Sequence, residues 1–206
     1  MNQTVSKRKG FFSDIYTIAL MAVLIAILLL LNFTPLGFAL RIGPVSITFL
    51  CIPVIVGACM IGPIAGAILG AVFGCLSMYQ AFSGIDPFGA VLVQAQPFYT
   101  VLVCLLPRIL CGLLAGLVFV GLKRVHCPIV VASGLAGFTC SIFNTILFCG
   151  SIAMLFNHVP YAGGKVGALI ITAGLTNGIP EAIAAVIVGG AVCTALYMYT
   201  GKRRRG

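Results

Sequence analysis

Apolar residues run along this chain in six blocks, at about residues 14 to 33, 46 to 62, 64 to 82, 98 to 122, 128 to 155 and 166 to 199. Each is near or above the roughly 20 residues that a helix needs to cross a bilayer, so six transmembrane helices are predicted. The second and third are short. Only Gly62-Pro63 divides them, a pair too tight for anything but a helical hairpin. Three loops fall on one side, at residues 34 to 45, 83 to 97 and 156 to 165, and almost no loop mass falls on the other. No long repeat or low-complexity tract breaks the series, so residues 1 to 206 read as a single domain. The first block is too long for a signal-peptide core and lacks a cleavage site, so it is expected to stay attached as a transmembrane helix.

Composition agrees with this pattern. Of the 206 residues 61% are hydrophobic and 7% charged, with a mean hydropathy of +1.21, and no soluble domain buries that much apolar surface. The fold class is an all-α membrane protein. A net charge of +9 raises the possibility of nucleic acid, but the basic residues cluster just beyond apolar blocks, at Lys7-Arg8-Lys9, Lys123-Arg124 and Lys202-Arg203-Arg204-Arg205. That is a topology signal, with anionic lipid headgroups as the counter-charge and no role for nucleic acid. The clusters put nine Lys/Arg with the termini and the fourth-to-fifth loop, against Arg41 and Lys165 opposite, so the N- and C-termini are both expected to be cytoplasmic. The nine cysteines sit mostly inside apolar blocks, without CxxC or histidine groupings, and read as small packing residues rather than disulfides or metal ligands.

Against this background the polar residues inside helices stand out. Thr176-Asn177-Gly178-Ile179-Pro180-Glu181 interrupts the sixth block. A membrane-buried carboxylate costs roughly 2.5 to 3.5 kcal/mol even on the lenient insertion scale, so it faces a protein interior, a partner charge or a wet cavity. Gly178 and Pro180 loosen the helix there, freeing backbone groups that a ligand cavity can satisfy. Arg108 lies about ten residues into the fourth helix, roughly 15 Å deep, and Glu181 roughly 21 Å into the sixth. Two arrangements suit this pair. One is a closed ion pair tying the fourth and sixth helices; the other is a polar cavity in which Arg108 offers a forked donor to a ligand carboxylate. Asn177 shares a helix face with Glu181, and Asn144 with Thr145 follows Ser141 on the fifth helix. Asparagine amides both donate and accept, which suits a ligand bearing hydroxyl and amide groups. Gln94, Gln96, Phe98 and Tyr99 form a polar and aromatic rim above the same helices, a placement that interfacial anchoring also explains for the aromatics. Arg108 and Asn177 rank ahead of Glu181 as direct contacts, since Glu181 has the alternative task of orienting Arg108.

Other readings find less support. His126 and His158 lie in loops without a serine or cysteine to activate, no multi-ligand metal cluster exists, and no Gly-rich phosphate loop with Lys-Ser/Thr occurs. No catalytic residue, metal or cofactor is therefore predicted; any ATP is bound by another subunit. Gly66, Gly70 and Gly74 on the third helix, with Gly112 and Gly116 on the fourth, read as ordinary close packing. Ala22 and Ala26, one turn after Ala19, give the first helix a small face against which another helix can pack. A self-contained channel or carrier would need polar residues continuing to the inner face, and the inner halves of the second to fourth helices carry almost none.

These features together resemble the substrate-binding S components of energy-coupling-factor (ECF) vitamin transporters. The resemblance rests on the Ala22-xxx-Ala26 element, the run from Gly43-Pro44-Val45-Ser46-Ile47-Thr48 into Ile52-Pro53, and Gly62-Pro63 before a glycine-rich helix. It continues through Pro107-Arg108-Ile109-Leu110 to Thr176–Glu181, covering essentially the whole chain. It implies a binding subunit without enzymatic activity in a prokaryotic cell membrane. Its partners would be a transmembrane coupling subunit, docked on Ala22 and Ala26, and two cytoplasmic ATPase subunits, with an outward-facing vitamin site. The GP-S-T, PRIL and TNGIPEA stretches are most similar to the pantothenate type. The GPxxxT pattern also resembles the biotin type, and cobalamin or a thiamine precursor are further alternatives on the same scaffold.

Overall fold

A computed structural model describes residues 15–34, 40–42, 45–47, 49–156, 160–161, 164–165, 174 and 178–203. Five helices among them are long and apolar enough to cross a membrane: Ile15–Phe33 (α1), Pro63–Phe82 (α3), Pro97–Arg124 (α5), Ile129–Leu155 (α6) and Gly178–Thr200 (α7), which continues to Arg203. Between the first two lies α2, Cys51–Met60. The sixth predicted helix was expected from about residue 166, and its first part lies outside the described residues.

Three expectations need correction. The second helix was expected from residue 46, but Val45–Ile47 (β2) is a strand, paired antiparallel with Leu40–Ile42 (β1) in the register Leu40↔Ile47 and Ile42↔Val45. Val45 and Ile47 are β-branched and alternate with Ser46, a strand pattern that the surrounding hydrophobicity concealed. At ten residues α2 is about 15 Å long, half the thickness of a hydrocarbon core, and eight of its residues are buried. A full sixth span is thus not seen in α2 alone. The stretch from residue 83 to 97, expected to be loop, contains a helix, Pro87–Ala95 (α4). Asp86 caps it, accepting from Phe88 N at 3.2 Å and Gly89 N at 3.1 Å, and Pro87 occupies the first helical position. A second short hairpin, Pro160–Tyr161 (β3) with Gly164–Lys165 (β4), lies in the stretch from 156 to 165.

Glycine sets the packing. Gly66 and Gly112 abut so closely that a methyl on either would overlap the other's carbonyl; Gly70 meets Arg108 O in the same way, and Gly116 lies against Pro63. One glycine ladder thus joins α3 to α5, the most extensive helix pair among the described residues. The α2–α3 break also needs glycine, since Gly62 has φ 136°, and Pro63 follows at the first position of α3. On the other flank Gly137 lies against Ala185 O, where α7 widens into a π-helical turn, Ala185–Gly189. Ser133 Oγ sits 3.1 Å from Gly190 O and 2.9 Å from Thr194 Oγ1, joining α6 to α7 beside that turn.

The core has two parts. A large cluster of α1, α2, α3, α5, α6 and α7 residues includes Leu28, Val54, Leu69, Cys111 and Ala136. A smaller one, Phe88, Leu92, Val103, Ile152 and Phe156, seats α4 on α5 and α6. Helix α1 joins through a narrow stripe, Met21, Leu24, Leu28 and Asn32, and Asn32 Oδ1 accepts from Gln80 Nε2 of α3 at 2.7 Å. The end of the bundle bearing α4 is thereby distinguished from the end bearing Lys123 and Arg124.

Candidate functional site

Pro107 lies inside α5 and has no N–H, so the carbonyl of Val103, one turn back, lacks its helical donor. The next residue supplies one: Arg108 Nη1 donates to Val103 O at 2.9 Å. This curls the guanidinium toward the α4 end of the bundle and sets it 4.4 Å from the ring centre of Phe148 on α6 and 5.4 Å from that of Phe73 on α3. A desolvated cation over an aromatic face gains about 2 kcal/mol, which offsets part of the cost of a buried charge. The side chain is 8% exposed, and its Nε has no hydrogen-bond partner among the described residues.

Phe148 belongs to a helix face that carries Ser141, Asn144 and Thr145 at three- and four-residue spacing, so Arg108 meets that face of α6 at its Phe148 end. Ser141 is 0% and Asn144 7% exposed, and Ser141 Oγ and Asn144 Oδ1 also lack partners among the described residues. Buried polar atoms are nearly always hydrogen-bonded, which sets these three, on two helices, apart from the other buried polar groups described. Thr145 faces Gly178 at the start of α7, where an added Cβ would stand 3.0 Å from its methyl carbon. Gly174 stands closer still to Cys149, where an added Cβ would overlap its sulfur.

Glu181 is 8% exposed and accepts from Cys51 Sγ of α2 at 3.4 Å. Cys51, Cys140 and Cys111 all belong to the large buried cluster, and Cys111 Sγ donates to Arg108 O at 3.2 Å. All nine cysteines are free thiols, and no group of three or more possible metal ligands occurs among the described residues.

The rim residues lie farther out. Gln94 on α4 is exposed, Tyr99 on α5 is 36% exposed, and Gln96 joins the two helices, its carbonyl accepting from Thr100 N and Oγ1. Asn177 lies outside the described residues. Ala22 and Ala26 are both exposed, on the side of α1 away from its buried stripe. His126 is a turn residue with φ 59°; His126 N and Cys127 N close the end of α5 on Lys123 O and Leu122 O. Sequence reasoning missed Phe73 and Phe148 as walls around Arg108, Cys51 as the neighbour of Glu181, and Ser141 as an orphan donor. For Ser141 the signal was its three-residue spacing from Asn144.

Two comparisons bear on this arrangement. The family model for the ECF transporter substrate-specific component matches residues 16–199. The pantothenic acid transporter PanT of Lactococcus lactis subsp. cremoris (strain MG1363) is 30% identical over 204 residues, covering 92% of this chain and 96% of that protein. The family match reaches all seven helices described above, and with it the chain belongs to the family of substrate-specific components of ECF transporters.

Proposed function

We propose that this protein is the membrane-embedded binding subunit of an ATP-driven importer in a prokaryotic cell membrane, and that its substrate is pantothenate. The substrate enters from the extracellular side, at the α4 end of the bundle. Both termini lie in the cytoplasm, with α2 and its flanking residues completing a sixth crossing. The relative named as a pantothenic acid transporter supports the substrate. The observation that carries the reading is the set of orphan atoms on α5 and α6: Arg108 Nε, Ser141 Oγ and Asn144 Oδ1.

Pantothenate is chemically suited to that set. Its carboxylate takes the free edge of the Arg108 fork, a charge-assisted bond about twice as strong as a neutral one. Its amide and hydroxyls pair with Asn144, Ser141, Thr145 and Asn177. Glu181 shapes the opposite wall, and Gln94, Gln96 and Tyr99 line the approach. The protein performs no chemistry on the substrate and binds no cofactor; two cytoplasmic ATPase subunits hydrolyse ATP. A transmembrane coupling subunit docks on the exposed small face of Ala22 and Ala26.

The test begins with purification in detergent and mass spectrometry of any small molecule that travels with the protein, followed by calorimetric titration with pantothenate. Tight binding is expected, with Arg108→Ala weaker by tenfold or more, since a hydrogen bond to a charged group contributes about 1.5 to 3 kcal/mol. Tight binding of a different vitamin would reassign the substrate, and no tight binding among the water-soluble vitamins would sink the reading. Ala22→Trp and Ala26→Trp should leave binding intact and abolish ATP-dependent uptake; uptake surviving both would remove the docking assignment.

A further inference from the structure

At the end of the bundle opposite α4, a cavity of about 340 Å³ opens between the α2–α3 turn, the last turns of α5 and the far end of α7. Its walls are apolar and aromatic below, with Phe119 and Val120, and cationic above, with Lys123 and Arg124. Tyr197 closes one side, its ring 6.2 Å from Phe119 edge to face and 5.1 Å from the Lys123 ammonium. Gly62 forms part of the lining without a side chain, and a Cβ placed there would meet nothing within 4 Å.

We propose that this cavity is a binding site for one acidic phospholipid, whose phosphodiester sits between Lys123 and Arg124 and whose glycerol and upper acyl chain lie along Phe119, Val120 and Tyr197. The two-layered lining is what selects a lipid. A soluble anion has no use for the apolar floor, and a zwitterionic lipid gains less from two adjacent cations. Among the described residues the charge at this cavity is one-sided. Of the three carboxylates in the chain, Asp86 caps α4 at the opposite end, Glu181 lies against Cys51 within the bundle, and Asp14 lies outside the described residues. Lys123 is partly buried and held over the Tyr197 ring, so its position is set before the lipid arrives. Basic pockets between transmembrane helices near an anionic leaflet are suited to acidic headgroups. The site is separate from the Arg108 region and does not depend on the identity of the transported substrate.

The experiment is native mass spectrometry of the full chain released from mild detergent, offered phosphatidylglycerol and phosphatidylcholine of identical acyl composition at equal concentration. One retained phosphatidylglycerol is expected, in clear preference. Lys123→Gln and Arg124→Gln should each lower the preference about fivefold, the factor for a basic residue that contributes roughly 1 kcal/mol near an anionic lipid surface. Val120→Trp keeps both charges, fills the cavity and should reduce retention of both lipids. The triple change of Lys7, Arg8 and Lys9 to glutamine should leave retention at the wild-type level, and glycerol 3-phosphate should not displace the lipid. An unchanged melting temperature in each variant shows that the fold persists. Equal retention of the two lipids by the wild type, or an equal loss in the Lys7–Lys9 variant, overturns the proposal. So does displacement by glycerol 3-phosphate, which would make this a site for soluble phosphates. Unchanged lipid retention in the Lys123 and Arg124 variants, with poorer recovery of the other transporter subunits, would assign the cavity to a protein partner instead.

Discussion

Ser141→Ala separates a binding group from a structural one, because the two roles predict opposite signs in the unliganded protein. Ser141 is fully buried on α6, and its hydroxyl has no partner among the described residues. An unsatisfied buried polar atom costs about 1 to 3 kcal/mol, and alanine removes that atom while leaving a space smaller than a methyl group. The unliganded variant should therefore be more stable by about 1 kcal/mol, which for a chain of this size raises the melting temperature by roughly 2 to 4 °C. With pantothenate bound the sign reverses. The hydroxyl is then paired, and losing one neutral hydrogen bond of about 0.5 to 1.5 kcal/mol weakens binding by roughly two- to thirteenfold. Differential scanning fluorimetry in detergent, without and with saturating pantothenate, reads both effects, and calorimetry gives the affinity directly. A destabilised unliganded variant would mean that the fold itself satisfies the hydroxyl. Unchanged affinity would mean that the ligand does not reach it, and either result refutes the reasoning. Asn144→Leu should follow the same pattern in binding, with a larger loss because its amide has both donors and an acceptor to offer.

Pro107→Ala restores a backbone N–H for Val103 O and so competes with Arg108 Nη1 for that acceptor. The helix should gain up to about 3 kcal/mol while pantothenate affinity falls as the guanidinium loses its anchor; a melt and a titration show whether the two changes go in opposite directions. Gly70→Ala would drive a methyl into Arg108 O and should cost about 1 to 3 kcal/mol by thermal melt, whereas Gly121→Ala, where an added Cβ meets nothing within 4 Å, should show no such loss. Gln80→Leu leaves Asn32 Oδ1 without its 2.7 Å donor and should destabilise by about 1 to 3 kcal/mol; the Asn32→Leu/Gln80→Leu double variant should recover most of it, as a double-mutant cycle would measure.

Much of the helical scaffold is legible in the hydropathy of the chain because each long helix must present apolar side chains both to its neighbours and to lipid. Ile15–Phe33 and Pro63–Phe82 fall within a residue of the blocks read from sequence. Short elements escape that logic. Helix α4 is nine residues long, and Val45–Ile47 is three, so neither disturbs a window wide enough to detect a span. Their local signals, Asp86-Pro87 and the alternation of Val45, Ser46 and Ile47, were present but lie in or beside stretches whose Gly, Pro and polar residues read as loop.

The site divides along the same line. That Arg108 and Glu181 are costly in a bilayer follows from their charge alone, and the sequence offers no second buried cation for Glu181. Reasoning from cost alone therefore directs the two toward each other. What it omits is the backbone: Pro107 creates a bare carbonyl at Val103, and Arg108 is the residue placed to take it. The described partners of Arg108, this carbonyl and the rings of Phe73 and Phe148, are all neutral, while Glu181 is met by Cys51 on another helix. Neutral partners orient a guanidinium without cancelling its charge. On the proposed reading, an anionic ligand would meet a guanidinium that the proline-freed carbonyl and two aromatic rings hold in place.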